Sequence, residues 1–120
     1  MGSVTEATRE SFNELISEGV VLVDVWGPDC RPCVALHPHV ERIAEENPHL
    51  SVVKLEAPKA RRICIEHKVM GMPAFLLFRD GKEVARISES NLSPQTLRSW
   101  ISEHAAPLLG ASGEPAESSA

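Results

Sequence analysis

Cys30 and Cys33 are separated by Arg31 and Pro32 and follow closely on the apolar run Val20-Val21-Leu22-Val23-Asp24-Val25-Trp26. Two thiols at this spacing can open and close as a disulfide, serve as a structural crosslink, or supply half of a metal site. They fall where a buried strand gives way to a helix. A helix N-terminus offers partial positive charge and free backbone N–H groups, both of which favour thiolate over thiol. Pro32 lies just inside the helix start, where a missing N–H costs little. His37 extends the pattern to C-x-x-C-x-x-x-H, but it precedes Pro38 on an otherwise exposed face and no fourth ligand accompanies it, so no metal is expected. Asp24 is the other unusual residue, because an ionised carboxylate is expensive in the middle of an apolar strand. Cys64, in Arg62-Ile63-Cys64-Ile65, reads as a buried, inert thiol, with a regulatory thiol as the alternative. No pairing pattern assigns a role to His39, His49, His67 or His104.

The elements that position these residues follow from periodicity. Thr8 to Gly19 suggests a helix of about three turns carrying Phe12, Leu15 and Ile16. Val20 to Trp26 has the near-continuous apolar pattern of a strand covered on both faces. Cys33 to Asn47 is helical, with Leu36, Val40, Ile43 and Ala44 on one face and Pro38 expected to kink it. Leu50 to Leu55 is a second strand, Lys59 to His67 a short helix, and Ala74 to Phe78 a third strand. Asp80-Gly81 joins that strand as a tight hairpin to a fourth at Lys82 to Ile87. Ser93 caps a last helix with Pro94 in its first turn and Leu97, Trp100 and Ile101 inward. The order implies two parallel-type crossovers and then a hairpin, hence an α/β fold: a three-layer α/β/α sandwich around a mixed sheet. One domain over 1–105 is expected, with a disordered tail over 106–120, where periodicity disappears and Leu108 and Leu109 dock only loosely.

Composition narrows the class. A chain of 120 residues, 42% of them hydrophobic, builds one core, and no apolar run is long enough to span a membrane. The net charge of −5 argues against nucleic acid and anionic membrane surfaces as partners. The start shows no secretory signal, and an odd count of three cysteines suits a cytoplasmic redox protein better than a disulfide framework.

Taken together, residues 8 to 105 resemble the thioredoxin family. The matching pieces are Val23-Asp24-Val25-Trp26, Cys30-x-Pro32-Cys33, Pro38, Lys54, Gly71-Met72-Pro73 and Phe78-Arg79-Asp80-Gly81, in that order. The resemblance implies a thioredoxin fold and a thiol–disulfide oxidoreductase that reduces protein disulfides, without a cofactor. Cys30 would be the attacking thiolate and Cys33 the resolving thiol. Asp24 would exchange a proton with Cys33 and pair with Lys54. A cis Met72–Pro73 bond beside the dithiol would help bind substrate, together with Trp26, Arg31 and Pro32. Partners would be disulfide-containing clients and an upstream thioredoxin reductase or other electron donor, and the protein itself a monomer.

The chain departs from the family pattern beside the dithiol. Asp29 replaces a Trp, Arg31 a Gly, Ala74 a Thr, and Glu89-Ser90 stands where a Gly usually flattens the docking surface. Arg31 favours the Cys30 thiolate and Asp29 opposes it. The more polar rim suggests a specific partner that docks partly through charge. A binding module with a vestigial dithiol and a more oxidising oxidase or isomerase are the alternative functions.

Overall fold

The computed structural model describes residues 3–113. Its chain order is β1 (Ser3–Ala7), α1 (Phe12–Leu15), β2 (Val20–Trp26), α2 (Arg31–Glu46), β3 (Leu50–Glu56), a 3-10 turn (Ala57–Lys59), α3 (Arg61–Glu66), β4 (Ala74–Arg79), β5 (Lys82–Ser88), α4 (Pro94–His104) and α5 (Ala106–Gly113). The strands form one five-stranded sheet in the order β1-β3-β2-β4-β5. β1 and β2 run parallel to β3, β4 is antiparallel to β2, and β5 is antiparallel to β4. This is the expected three-layer sandwich with a mixed sheet.

β2 has covered neighbours on both sides, and its alternation divides the core. Val20 and Leu22 face one cluster with Leu36, Val40, Leu97 and Trp100, from α2 and α4. Val21, Val23 and Val25 face the other with Phe12, Ile63, Leu76 and Phe78, the layer of α1 and α3. At the Asp80-Gly81 hairpin, φ is +50° and +87°, which Gly81 tolerates without strain. The same turn is tied to the entry of β2: Gly19 N–H donates to Asp80 Oδ1 at 2.8 Å, and Asp80 N–H donates to the Gly19 carbonyl at 2.9 Å.

Four expectations need correction. β1 adds an edge strand, and the pair of parallel crossovers is β1-α1-β2 and β2-α2-β3; the α3 connection delivers β4 antiparallel to β2. α1 is a single turn, with the preceding residues taken up by reciprocal bonds between Thr8 and Ser11. The segment from Lys59 divides into a 3-10 turn and α3. Residues 106–113, expected to be disordered, form α5, and Leu108 and Leu109 pack on the α4 cluster. The rest of the expected tail, 114–120, lies outside the described residues.

Candidate functional site

The dithiol sits at the start of α2 because Cys30 is its N-cap. Cys30 has extended backbone angles, and its Sγ accepts the Cys33 N–H at 3.3 Å. A disulfide joins the two residues, with Cα atoms 5.3 Å apart. Their exposure differs: Cys30 is half-buried, whereas Cys33 is 1% exposed. Arg31 and Pro32 fill the exposed first turn, and Asp29 is exposed on the loop before it. α2 continues through Pro38 without ending, as its buried stripe of Leu36, Val40, Ile43 and Ala44 requires.

Asp24 continues the Val20–Leu22 stripe of β2, so it enters the layer covered by α2. It is 2% exposed, and its Oδ2 has no hydrogen-bond partner among the described residues. Burial raises its pKa to about 7, against an opposing pull from the Lys54 charge. Lys54 is its register neighbour on β3 and is itself 8% exposed. The expected Asp24–Lys54 ion pair is not the contact seen. Lys54 Nζ lies instead 3.6 Å from Glu41 Oε2 on α2, so its charge acts on Asp24 from alongside. An acid kept without a close cation titrates near neutrality rather than far below it.

Trp26 ends β2 and packs edge-on against His37, with ring centroids 4.8 Å apart. His37 was expected on an exposed face and had no assigned role, yet it is half-buried and its Nε2 is enclosed without a partner among the described residues. The available signal was its position one turn beyond Cys33. His67 and His104 also pack on rings, His67 on Phe12 and Phe78 and His104 on Trp100. Among the described residues no cluster of three or more His, Cys, Asp or Glu is arranged to hold a metal ion.

The loop before β4 forms the other wall. The Met72–Pro73 peptide is cis. Gly27 makes room for this loop: a Cβ there would lie 3.2 Å from Met72 Cε, tighter than side chains tolerate without shifting. Beyond Met72 opens an apolar groove of about 510 Å³, lined by Ala57, Pro58, Ile65, Val69, Met70 and Met72 with Cys64 beneath them. Ile65 and Met70 are 75% and 94% exposed. Burial raises the Cys64 pKa, which keeps it a thiol, in line with its reading as inert. Arg86 of β5 braces this loop by donating to the carbonyls of His67 and Lys68 at 2.7 and 3.1 Å. No sequence pattern singled out Gly27 or Arg86.

Comparison with known proteins accounts for this arrangement. The thioredoxin family model matches residues 3–103. The chain belongs to the thioredoxin family. It is 35% identical to a thioredoxin of Chlamydia trachomatis over 101 residues, which cover 84% of this chain and 98% of that one. It is 32% identical to thioredoxin of Bacillus subtilis over 103 residues, 85% and 98% of the two chains. Among solved structures, oxidised mitochondrial thioredoxin 3 of Saccharomyces cerevisiae superposes with a TM-score of 0.74 at 26% identity, covering 83% of this chain and 94% of that one. Thioredoxin of Malassezia sympodialis superposes with a TM-score of 0.78 at 24% identity, over 88% and 94%, a likeness of fold. The chain is therefore a thiol–disulfide oxidoreductase of the protein-disulfide reductase type, working through the Cys30/Cys33 pair, with disulfide-bearing clients and a reductase as its general classes of partner. No helix among the described residues is long and apolar enough to cross a membrane.

Proposed function

We propose that Cys30 attacks client disulfides and Cys33 resolves the mixed disulfide, in a monomeric cytoplasmic protein re-reduced by a thioredoxin reductase or an equivalent donor, without a bound cofactor. The observation that carries this assignment is the unequal exposure of the two cysteines. A client sulfur can approach half-buried Cys30, whereas Cys33, 1% exposed, is reached only by Cys30 itself. The Cys33 N–H, which donates to Cys30 Sγ, and the positive N-terminal end of α2 stabilise the Cys30 thiolate.

Asp24 is the acceptor for the Cys33 proton. With a pKa of about 7 it is a base matched to neutral pH, and Lys54 tunes it by through-space charge. The client chain lies along Met72 and Pro73, between Trp26, Arg31 and Pro32 on one side and the apolar groove on the other. Exposed Asp29 and Arg31 beside Cys30 make part of that docking charge-dependent. Electron transport to client disulfides is the role this reading gives the pair.

The test combines insulin-disulfide reduction with the reduction potential of the pair. A potential near about −270 mV with robust activity is expected, whereas about −120 to −180 mV would mark an oxidase or isomerase instead. An intact fold without activity would mark a binding module. Cys33→Ser should trap clients as mixed disulfides on Cys30; trapping by Cys30→Ser instead would reverse the two roles.

A further inference from the structure

Helix α2 presents Cys33, His37 and Glu41 at four-residue spacing, one stripe of its surface. Two separate contacts place that stripe over the polar end of the sheet. His37 packs on Trp26 of β2, and Glu41 reaches Lys54 of β3. The same layer holds both enclosed side-chain polar atoms that lack a partner among the described residues, Asp24 Oδ2 and His37 Nε2. Buried polar atoms are seldom left unpaired, and a bridging water is the usual way two of them are satisfied.

Asp24 is almost sealed from solvent, so a proton taken from Cys33 needs a route out. We propose that His37 is this route: Asp24 passes its proton through a bridging water to the His37 imidazole, which releases it at the Glu41 rim of the layer. This rests on the assignment of Asp24 as proton acceptor. The Asp24 carboxylate removes the Cys33 thiol proton, and the thiolate forms the S–S bond to Cys30. The bond from Cys30 to the client sulfur breaks, and its electron pair leaves on the client thiolate, which solvent protonates. Protonated Asp24 then transfers its proton to neutral His37, and the imidazolium gives it to solvent. Electrons move only between sulfurs, and Asp24 and His37 end as they began.

The charged groups that act on His37 are Lys54 on β3, Glu41 on α2 and Glu6 on β1. Burial and then the Lys54 charge lower the His37 pKa, while Glu41 and Glu6 pull it back up. The imidazole is therefore neutral near pH 7 and able to accept. His37 is half-buried and Glu41, one turn on, is exposed, so the outer end of the stripe meets solvent.

His37 is a positioning and relay residue that touches no substrate, so its test needs readouts beyond loss of rate. Single-turnover reduction of insulin disulfides by the pre-reduced full chain is measured between pH 6 and 9, at low and high buffer concentration. His37→Ala should slow the step about tenfold, make it dependent on buffer concentration, and recover with added imidazole. His37→Gln, which keeps a polar side chain but does not titrate, should be equally slow and serves if the alanine variant fails to fold. In an Asp24→Asn background, removal of His37 should cost nothing further. The relay is overturned if His37→Gln leaves the rate and its buffer dependence unchanged, or if the two substitutions are additive. If Asp24→Asn alone keeps the parental rate and pH profile, the acceptor role itself fails, a result distinguishable from failure of the relay alone.

Discussion

The two faces of the sheet are built from the same strands to opposite ends. On the α1/α3 face, β2 contributes Val21, Val23 and Val25, which meet Phe12, Leu76 and Phe78 in an apolar layer. On the α2/α4 face the same strand contributes Val20, Leu22 and then Asp24, and β3 contributes Lys54, the two buried charged residues among those described. Burying a charged group is costly unless it is paired, and Asp24 Oδ2 has no hydrogen-bond partner among the described residues. The cost is confined to the end of the layer where α2 begins and the dithiol sits. One face maintains the fold, while the end of the other gives up stability for chemistry.

The largest way to probe that division is on the apolar face. Phe78→Ala should lower stability by about 3–5 kcal/mol, measured by denaturant unfolding, while the folded fraction keeps its insulin-reductase rate per molecule. A comparable loss of rate in fully folded protein would show that this face also serves the chemistry.

Next in size is Asp24→Asn, which should do the reverse. The folded-state pKa of Asp24, about 7, lies above its unfolded value of about 3.9. Its contribution to stability is therefore fully present below pH 4 and is lost as pH rises through about 7. Asp24→Asn should be more stable than the parent at pH 8, by on the order of a few kcal/mol, with the gap closing toward pH 4. Denaturant midpoints across that range check it, and equal midpoints at pH 8 would contradict it.

Lys54→Met should act more weakly. It removes the charge that holds the Asp24 pKa down, so the neutral-range inflection of the rate should move to higher pH. The stability change should stay near about 1 kcal/mol, because Glu41 is left half-exposed rather than buried. A downward shift of the inflection would remove Lys54 from the proton chemistry.

Arg86→Ala is the smallest. It frees the His67 and Lys68 carbonyls at the foot of the groove loop, which should raise KM for insulin a few-fold and leave kcat unchanged. A change in kcat alone would show that the brace acts on the dithiol rather than on docking.

Much of this division was legible in the sequence. The run Val20 to Trp26, interrupted by one carboxylate, identified the central strand and its costly residue together. Cys30, Pro32 and the helical stripe after them fixed the start of α2, and Asp80-Gly81 fixed the hairpin. β1 was missed because an edge strand buries little and Ser3-Val4-Thr5-Glu6-Ala7 carries almost no apolar signal. At α5 the docking of Leu108 and Leu109 was legible but the helix was not, because local periodicity does not report a short segment that packs by two leucines. The same limit applies to the site. Which carboxylate Lys54 would meet, and whether His37 would face Trp26 or water, depends on the register of α2 over the sheet. Reading 33, 37 and 41 as one stripe would have pointed to His37.

The central claim is that the dithiol is served by a buried acid poised near neutrality, and the Asp24 carboxyl can be observed directly. Infrared difference spectra between the disulfide form of the parent and of Asp24→Asn, followed from pH 3 to 9, isolate its protonated C=O stretch. A midpoint near about 7 is expected. A carboxyl that ionises with a midpoint near about 4, as in an unfolded chain, would contradict it.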